Sequence, residues 1–343
     1  MGQLLRDNWF VVLIAILIIG FISYFIYDNN KYNVSSAKDD NKDVVMSVDG
    51  GNVTADELYK KLSKDDSSLL YYLYRNAVVD QSVKTTDALQ KKADTFQSNL
   101  EDYAKQQDSD NYETILEQEL TTYGFSSYDE LNKYCLISVK EAKMNERYVD
   151  KHFDELISNL TAKNPRTISI ISMSVADANS LTEDEQSKKD NIDAALAKQS
   201  FKKTATAFSE DSTASDKGFY GYIDADDAES SNSSLSSDVI NAALNLEKGQ
   251  TSDWIKVTDS SSGSTYLYKV YVNETDINKL HESKNSSVTE SLLNAILNNN
   301  DGLETKILQT NAKKLKIKFN DKETKEKVNE YIDSLKEGDS SDE

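Results

Sequence analysis

The chain is poor in the residues that usually hold small or metal-dependent sites together. It has one cysteine (Cys135) and two histidines (His152 and His281) in 343 residues. A disulfide framework, a Cys-rich zinc site and a His-rich metal site within one chain are thereby excluded, and no cofactor or metal is expected. A single proline (Pro165) stands against an average usage of ~5%, so Pro-rich linkers are absent and long uninterrupted helices are allowed. Lys and Arg number 39 against 59 Asp and Glu, a formal net charge of −20. Phosphates need a basic face, so nucleic acid is not an expected partner. Gly-rich phosphate loops, GxSxG elbows, HExxH helices and EF-hand loops are all missing. The abundant carboxylates read as a solvated face rather than as a paired acid/base site.

What is present suffices for a core. Apolar residues make up 38% of the chain, with 19 Tyr and 10 Phe, so a wholly disordered acidic chain is not expected. At ~150 residues per domain the length suits about two domains.

Residues 9–27 read WFVVLIAILIIGFISYFIY, without a charge. As a helix they span ~28 Å, about one hydrocarbon core. Trp9 at one end and Tyr24 and Tyr27 at the other sit where interfacial aromatics do. The bulky residues at 24–27 do not suit a signal-peptidase site, so the expectation is an uncleaved signal anchor in the lipid bilayer. Residues 1–8 read as a short tail, cytoplasmic in the orientation implied by the resemblance given below, and residues 28–42 as a polar tether. Arg6 on one side and Lys31, Lys38 and Lys42 on the other leave orientation open by charge count alone.

Beyond the tether, 44–48 is strand-like and Asp49-Gly50-Gly51 marks a turn. Thr54 and Glu57 form a capping-box pattern for a helix at about 55–63. Residues 67–160 read as several helices. Leu69, Leu73, Leu70, Tyr74, Val79 and Val83 give one stripe. Ile115, Leu116, Leu120 and Tyr123 give another, ended by Gly124. Ser127 to Glu130 reads as a second capping box, opening a helix with Leu131, Cys135, Val139 and Ala142 on one face. Cys135 is thus expected as a small core residue.

Pro165 marks a boundary. After it come a strand at 168–175, a helix over 184–199 capped by Thr182, and a shorter helix with Phe201, Ala205 and Phe208. A turn into a strand follows at 218–223, then a helix at 235–246 closed by Gly249. Strands at 254–257 and 266–272 form a hairpin. This β-α-α-β-α-β-β series is a self-contained α+β unit. Residues 285–315 are again helical, 315–319 reads as a short strand, and Asp321 caps a last helix through Leu335. The acidic end of the sequence reads as a disordered tail.

Four segments in order resemble the motifs of parvulin-type prolyl isomerases. They are Phe201, Ala205 and Phe208-Ser209-Glu210-Asp211-Ser212; Lys217-Gly218-Phe219-Tyr220-Gly221-Tyr222-Ile223; Ala242 through Leu246 to Gly249 and Ser252; and Tyr266-Leu267-Tyr268-Lys269-Val270. The flanks resemble extracytoplasmic foldases of the PrsA type and their Gram-negative periplasmic, SurA-like relatives. They match at Val48-Asp49-Gly50-Gly51-Asn52-Val53-Thr54, at Tyr123-Gly124-Phe125 with Glu130-Leu131, and at Leu315 to Lys322. The resemblance covers about 43–335.

The resemblance implies an α+β chain. An N-terminal transmembrane helix precedes a mostly helical chaperone lobe built from 43–162 and 277–336, with a parvulin-like domain inserted at 163–276 and an acidic tail at 337–343. The family's first-strand His falls at Ser172, or Ser169 if the register slips, and its last-strand His at Tyr266, while Asp211 is retained. These are the degenerate catalytic positions. Phe208, Leu235, Val239, Tyr220 and Tyr222 are the implied substrate-binding residues. A hydroxyl cannot take up a proton near neutral pH as imidazole can. The expectation is therefore a membrane-anchored extracytoplasmic foldase, Gram-positive in type, with weak or absent isomerase activity. Its partners would be unfolded or newly secreted polypeptides held between lobe and module, with Tyr71, Tyr72 and Tyr74 as contacts or as core. An active prolyl isomerase with an altered site and a surface scaffold reusing the fold are the alternatives.

Overall fold

The computed structural model describes residues 38–39, 42–48, 51–54, 67–230, 233–259 and 263–338. The span expected at 9–27, most of the tether, the helix expected at 55–63 and the last five residues lie outside the described residues. Among those described, no helix is long and apolar enough to cross a membrane.

Three strands come first, β1 (Lys38–Asp39), β2 (Lys42–Val48) and β3 (Gly51–Thr54), in an antiparallel sheet of that order. Val48 pairs with Gly51, as the expected turn requires. Helices α1 (Ser67–Ser82), α2 (Asp87–Gln107), α3 (Tyr112–Thr122), α4 (Leu131–Leu156) and α5 (Ser158–Ala162) follow. Then come β4 (Arg166–Val175), α6 (Glu183–Leu196), α7 (Phe201–Phe208), β5 (Phe219–Ile223), α8 (Ala225–Glu229), α9 (Ser237–Leu244), β6 (Ile255–Thr258) and β7 (Thr265–Glu274). The chain ends in α10 (Ile277–His281), α11 (Ser286–Asn298), α12 (Leu303–Lys314) and α13 (Lys322–Gly338). This is a helix-rich α+β fold with small antiparallel sheets. It divides into two compact units, one from Met1–Tyr148 and Asp301–Glu343, the other from Val149–Asn300.

In the first unit α1 packs against α12 and α13. Leu70, Tyr71, Val78 and Val79 form its buried face, and Leu73 is 48% exposed. The expected stripe therefore turns by one residue. The i, i+8 spacing of Leu70 and Val78 keeps one helix face, and Leu73 falls off it to lie against Gly124. Gly124 ends α3 as expected, at φ +81°, with Phe125 N–H donating to the Leu120 carbonyl at 3.1 Å. The second capping box does not form. The Ser127 side chain makes no cap bond, and Glu130 instead accepts from the Ser126 backbone (2.7 Å) and hydroxyl (2.9 Å). Leu131, Cys135, Ile137 and Met144 are the buried apolar residues of α4 in this unit, with Lys140 and Asn145 buried beside them, while Ala142 is exposed. Burial pushes the Cys135 thiol up to about 12, which suits a core residue. Tyr71 is core as well, its ring 5.0 Å from that of Tyr331, whereas Tyr72 and Tyr74 are half-buried against Tyr123 and Phe319.

The short strand expected at 315–319 is absent. Lys316 takes a left-handed conformation (φ +55°) and Ile317 N–H donates to the Ala312 carbonyl, so the residues that alternate in sequence close α12 instead. Asp321 does cap α13, accepting from Thr324 N–H at 2.7 Å.

The second unit is built on a four-stranded antiparallel sheet, order β5-β4-β7-β6. Ten consecutive strand-forming residues make β4 central, buried on both faces until Ser174. Ile168, Ile170, Val270 and Val272 point to one face, where Leu235, Val239, Ile240 and Ala243 of the α9 region cover them. Ile171, Met173, Val175 and Leu267 point to the other, against Ile192, Phe201 and Ala205 of α6 and α7. Each fully buried Ile or Val here contributes roughly 1.5–3 kcal/mol relative to exposure. Thr182 and Glu185 form both arms of the expected capping box of α6. Arg166 is buried, and its guanidinium donates to the Ala243 and Leu246 carbonyls at 2.7 Å each, closing the C-terminal end of α9.

Candidate functional site

The β4–β7 register decides which expected site residues meet. Ser172 pairs with Tyr268, Ser174 with Tyr266 and Ile170 with Val270. Because strand side chains alternate, Ser172, Ser174, Tyr266 and Tyr268 all stand on the Ile168/Ile170 face, above Leu235 and Val239. On β6, Ile255 pairs with Tyr268 and Val257 with Tyr266, widening the same face. The Tyr266 and Tyr268 ring centroids are 6.2 Å apart.

Asp211 arrives from a different direction. β5 pairs with β4 only up to Ser169, so the backbone of β4 beyond that point needs other partners. The loop after α7 supplies them. Ile170 N–H donates to Gly218 O at 2.7 Å, Ser172 N–H to Ser209 Oγ at 3.1 Å, Glu210 N–H to Ser172 O at 2.9 Å, and Ser174 N–H to Glu210 Oε2 at 2.6 Å. Glu210 also pairs with Lys188. Burial works against its charge, but Lys188 and the Ser174 N–H outweigh that and hold the carboxyl below the usual range. This clamp fixes Asp211 beside the strand. One Asp211 oxygen accepts from Thr213 N–H at 2.8 Å, and the Asp211 backbone N–H donates to Ser209 Oγ at 3.3 Å. Burial raises the Tyr268 hydroxyl above the ordinary tyrosine range, and the negative charge of Asp211 adds to it, followed by Tyr266 and Asp259.

The other expected residues fall in different places. Leu235 (6% exposed) and Val239 (0%) are the packed floor beneath the face. Tyr220 packs at its margin, its hydroxyl 2.7 Å from Ser234 Oγ. Phe208 belongs to the opposite layer, against Ile171, Met173 and Leu267. Tyr222 pairs with Thr167, five residues from Ser172 and so ~17 Å along the strand. Its hydroxyl donates to Asp224 at 2.7 Å, and burial with the Asp224 charge holds it far above the usual tyrosine range. Ser169, the slipped-register alternative, bonds to Asn273. Tyr268 was not among the expected residues. The signal was there, since it stands two residues from Tyr266 and shares its face.

Neither histidine belongs to the sheet. His281 stacks on Phe153 with ring centroids 3.9 Å apart and lies 3.5 Å from Asp150, and His152 bonds to Glu155 at 3.2 Å. Among the described residues no group of three or more His, Cys, Asp or Glu could hold a metal ion. The face therefore offers hydroxyl donors, one nearby carboxylate and an apolar floor. Such an arrangement can hydrogen-bond peptide carbonyls and bury an apolar ring.

No family model matches the chain. Among solved structures it resembles foldase protein PrsA from Streptococcus pneumoniae str. Canada MDR_19A (TM-score 0.43, 18% identity, 84% of this chain and 99% of that one). It also resembles PrsA from Bacillus subtilis (TM-score 0.41, 24% identity, 84% and 98%). Among curated proteins, Foldase protein PrsA of Bacillus subtilis (strain 168) is 27% identical over 297 residues, 86% of this chain and 89% of that protein. With that identity running through most of both chains, and with the resembling motifs following one another around a single sheet, the chain is similar throughout to foldase protein PrsA, which supports a PrsA-type foldase family.

Proposed function

We propose that this chain is a membrane-anchored, extracytoplasmic foldase that assists newly secreted polypeptides, with weak or absent prolyl isomerase activity. Similarity to foldase protein PrsA through most of the chain supports the foldase role, and the uncharged residues 9–27 support the anchor. In this reading 43–162 and 277–336 form the chaperone lobe and 163–276 the prolyl-peptide module.

The observation that carries the isomerase part is the chemistry of the sheet face. Rotating an X–Pro bond meets a barrier near ~20 kcal/mol, because amide resonance is lost. Lowering it takes an apolar seat for the ring and donors aimed at the twisted amide. Half-buried Ile255, Val257 and the Tyr268 ring provide the seat, backed by the packed Leu235 and Val239, and Ser172, Tyr266 and Tyr268 provide hydroxyls. These hydroxyls do not exchange protons near neutral pH, and both histidines are engaged elsewhere. Peptide binding is retained in this arrangement while catalysis is weakened.

Two assays run on the full chain in detergent test the reading. Aggregation of several unrelated unfolded substrates should be suppressed at near-stoichiometric protein, and a proline-limited refolding phase should be little accelerated. Failure to suppress aggregation removes the foldase role. Acceleration at rates typical of prolyl isomerases, abolished by Asp211→Ala, removes the weak-isomerase part. Protease protection on intact cells reports which side of the membrane the bulk of the chain occupies, and full protection of residues beyond 42 contradicts the extracytoplasmic placement.

A further inference from the structure

Tyrosines around the sheet fall into two groups. The Tyr220 hydroxyl is tied to Ser234 and that of Tyr222 to Asp224. The hydroxyls of Ser172, Tyr266 and Tyr268 make no hydrogen bond among the described residues. Ser172 is buried and the two tyrosines are half-buried, and hydroxyls so placed find partners in ligand or water. The register then separates Tyr268 from Tyr266. Tyr268 is directly opposed to Ser172, so their Cβ atoms lie ~4.5–5.5 Å apart, and it packs onto the Leu235/Val239 floor. Tyr266 faces Ser174, which is exposed, two residues or ~7 Å nearer the strand end.

An X–Pro unit has a distinctive chemistry. Its tertiary amide carries no N–H, so at that bond the peptide presents a carbonyl acceptor and an apolar ring. A donor directly beside an apolar floor is the complement. Asp211 cannot serve as that donor, because a carboxylate only accepts, and one of its oxygens already holds Thr213 N–H. Tyr268 can serve, and burial together with the negative charges of Asp211 and Asp259 keeps its proton in place.

We infer that Tyr268, rather than Tyr266, donates to the carbonyl oxygen preceding proline, with Ser172 opposite it as the second donor, and that this pair sets the preference for proline-containing segments. The inference rests on the prolyl-peptide reading of the 163–276 module and adds to it a residue that carries the discrimination.

The test is binding of a dansyl-labelled Ala-Ala-Pro-Phe peptide and of its Ala-Ala-Ala-Phe counterpart to the full chain in detergent, followed by anisotropy. Tyr268→Phe keeps the ring and its packing and removes only the hydroxyl, and unchanged circular dichroism and urea midpoint verify the fold. The expected result is a threefold to tenfold loss of affinity for the proline peptide, about the worth of one hydrogen bond. The alanine peptide should change less than twofold, and Tyr266→Phe, on the same face, should shift both affinities alike and leave their ratio unchanged. The ratio of the two affinities is the decisive readout, because loosened packing would weaken both peptides alike. A Tyr268→Phe protein with an unchanged ratio, beside a Tyr266→Phe protein that has lost it, overturns the inference and leaves the prolyl module standing. A wild-type chain that binds both peptides equally overturns the module reading itself, and the inference with it.

Discussion

Gly218→Ala is the sharpest perturbation the structure offers. Gly218 stands at φ +78°, where an L side chain costs about 1–2 kcal/mol. A Cβ built there meets Ala205 Cβ at 2.6 Å and the Ile170 carbonyl oxygen at 2.7 Å. Both neighbours are held. Ala205 is fully buried in α7, and Ile170 N–H donates to Gly218 O at 2.7 Å. Relief requires backbone shifts of the kind that cost about 1–3 kcal/mol in packed cores. The sum is roughly 2–5 kcal/mol. Trp254 packs within this unit, and the only other tryptophan, Trp9, lies in the apolar N-terminal segment, so urea unfolding followed by Trp254 fluorescence in a Trp9→Phe background reports the module. With a urea m-value of about 1–3 kcal/mol/M, the midpoint should fall by about 0.7–5 M. In an Ala205→Gly background one of the two close contacts disappears, so the cost of Gly218→Ala should drop by about 1 kcal/mol or more. A shift below 0.5 M in the parent, or strict additivity with Ala205→Gly, would refute the steric reasoning.

Three further outcomes are expected. Arg166→Met strips the Ala243 and Leu246 carbonyls of their donor and should lower module stability by about 2–4 kcal/mol by the same urea assay, while unchanged stability would show that water replaces the guanidinium. Glu210 has its carboxyl held below the ordinary range, so its contribution is present above the unfolded value and is lost as pH falls through the folded one. The stability gap between wild type and Glu210→Gln should therefore close on acidification below about pH 4, and a gap that stays constant from pH 6 to 3 contradicts this. The Cys135 thiol, pushed up by burial, should react with a disulfide reagent at pH 8 only as fast as the helical unit opens, rising with urea; immediate reaction in the native state would place it at the surface.

Where one local rule dominated, the sequence was legible. Period-two alternation located β4, β5 and β7, and so brought Ser172 and Tyr266 to one face with Leu235 and Val239 beneath them. Thr182, Gly124 and Asp321 acted as the caps their residue types suggest. Legibility failed where two rules competed. Residues 315–319 alternate like a strand, but α12 needed closing, and Lys316 entered the left-handed region to do it. Ser127 could have capped α4, but Glu130 reached Ser126 instead. Asp224 forms a complete capping box with Asp227 for α8, a helix whose five residues are too short to show a period. Phe208 follows the α7 spacing of Phe201 and Ala205 faithfully, and for that reason belongs to the layer opposite the candidate site. Tyr268 escaped notice because motif matching reads positions singly, whereas strand geometry reads them in pairs.

The clamp from the loop after α7 has a consequence for how a chain can approach. Between Ile170 and Ser174 the outward amides of β4 are already taken by Gly218, Ser209 and Glu210. No incoming segment can lengthen the sheet there by main-chain pairing. A visitor must lie across the top of the strands and be gripped through side chains, which frees recognition from any fixed main-chain register. In the role proposed above, a surface read in that way would pick up a kinked segment wherever it occurs in a long, unstructured chain and let it go again without unzipping a ladder.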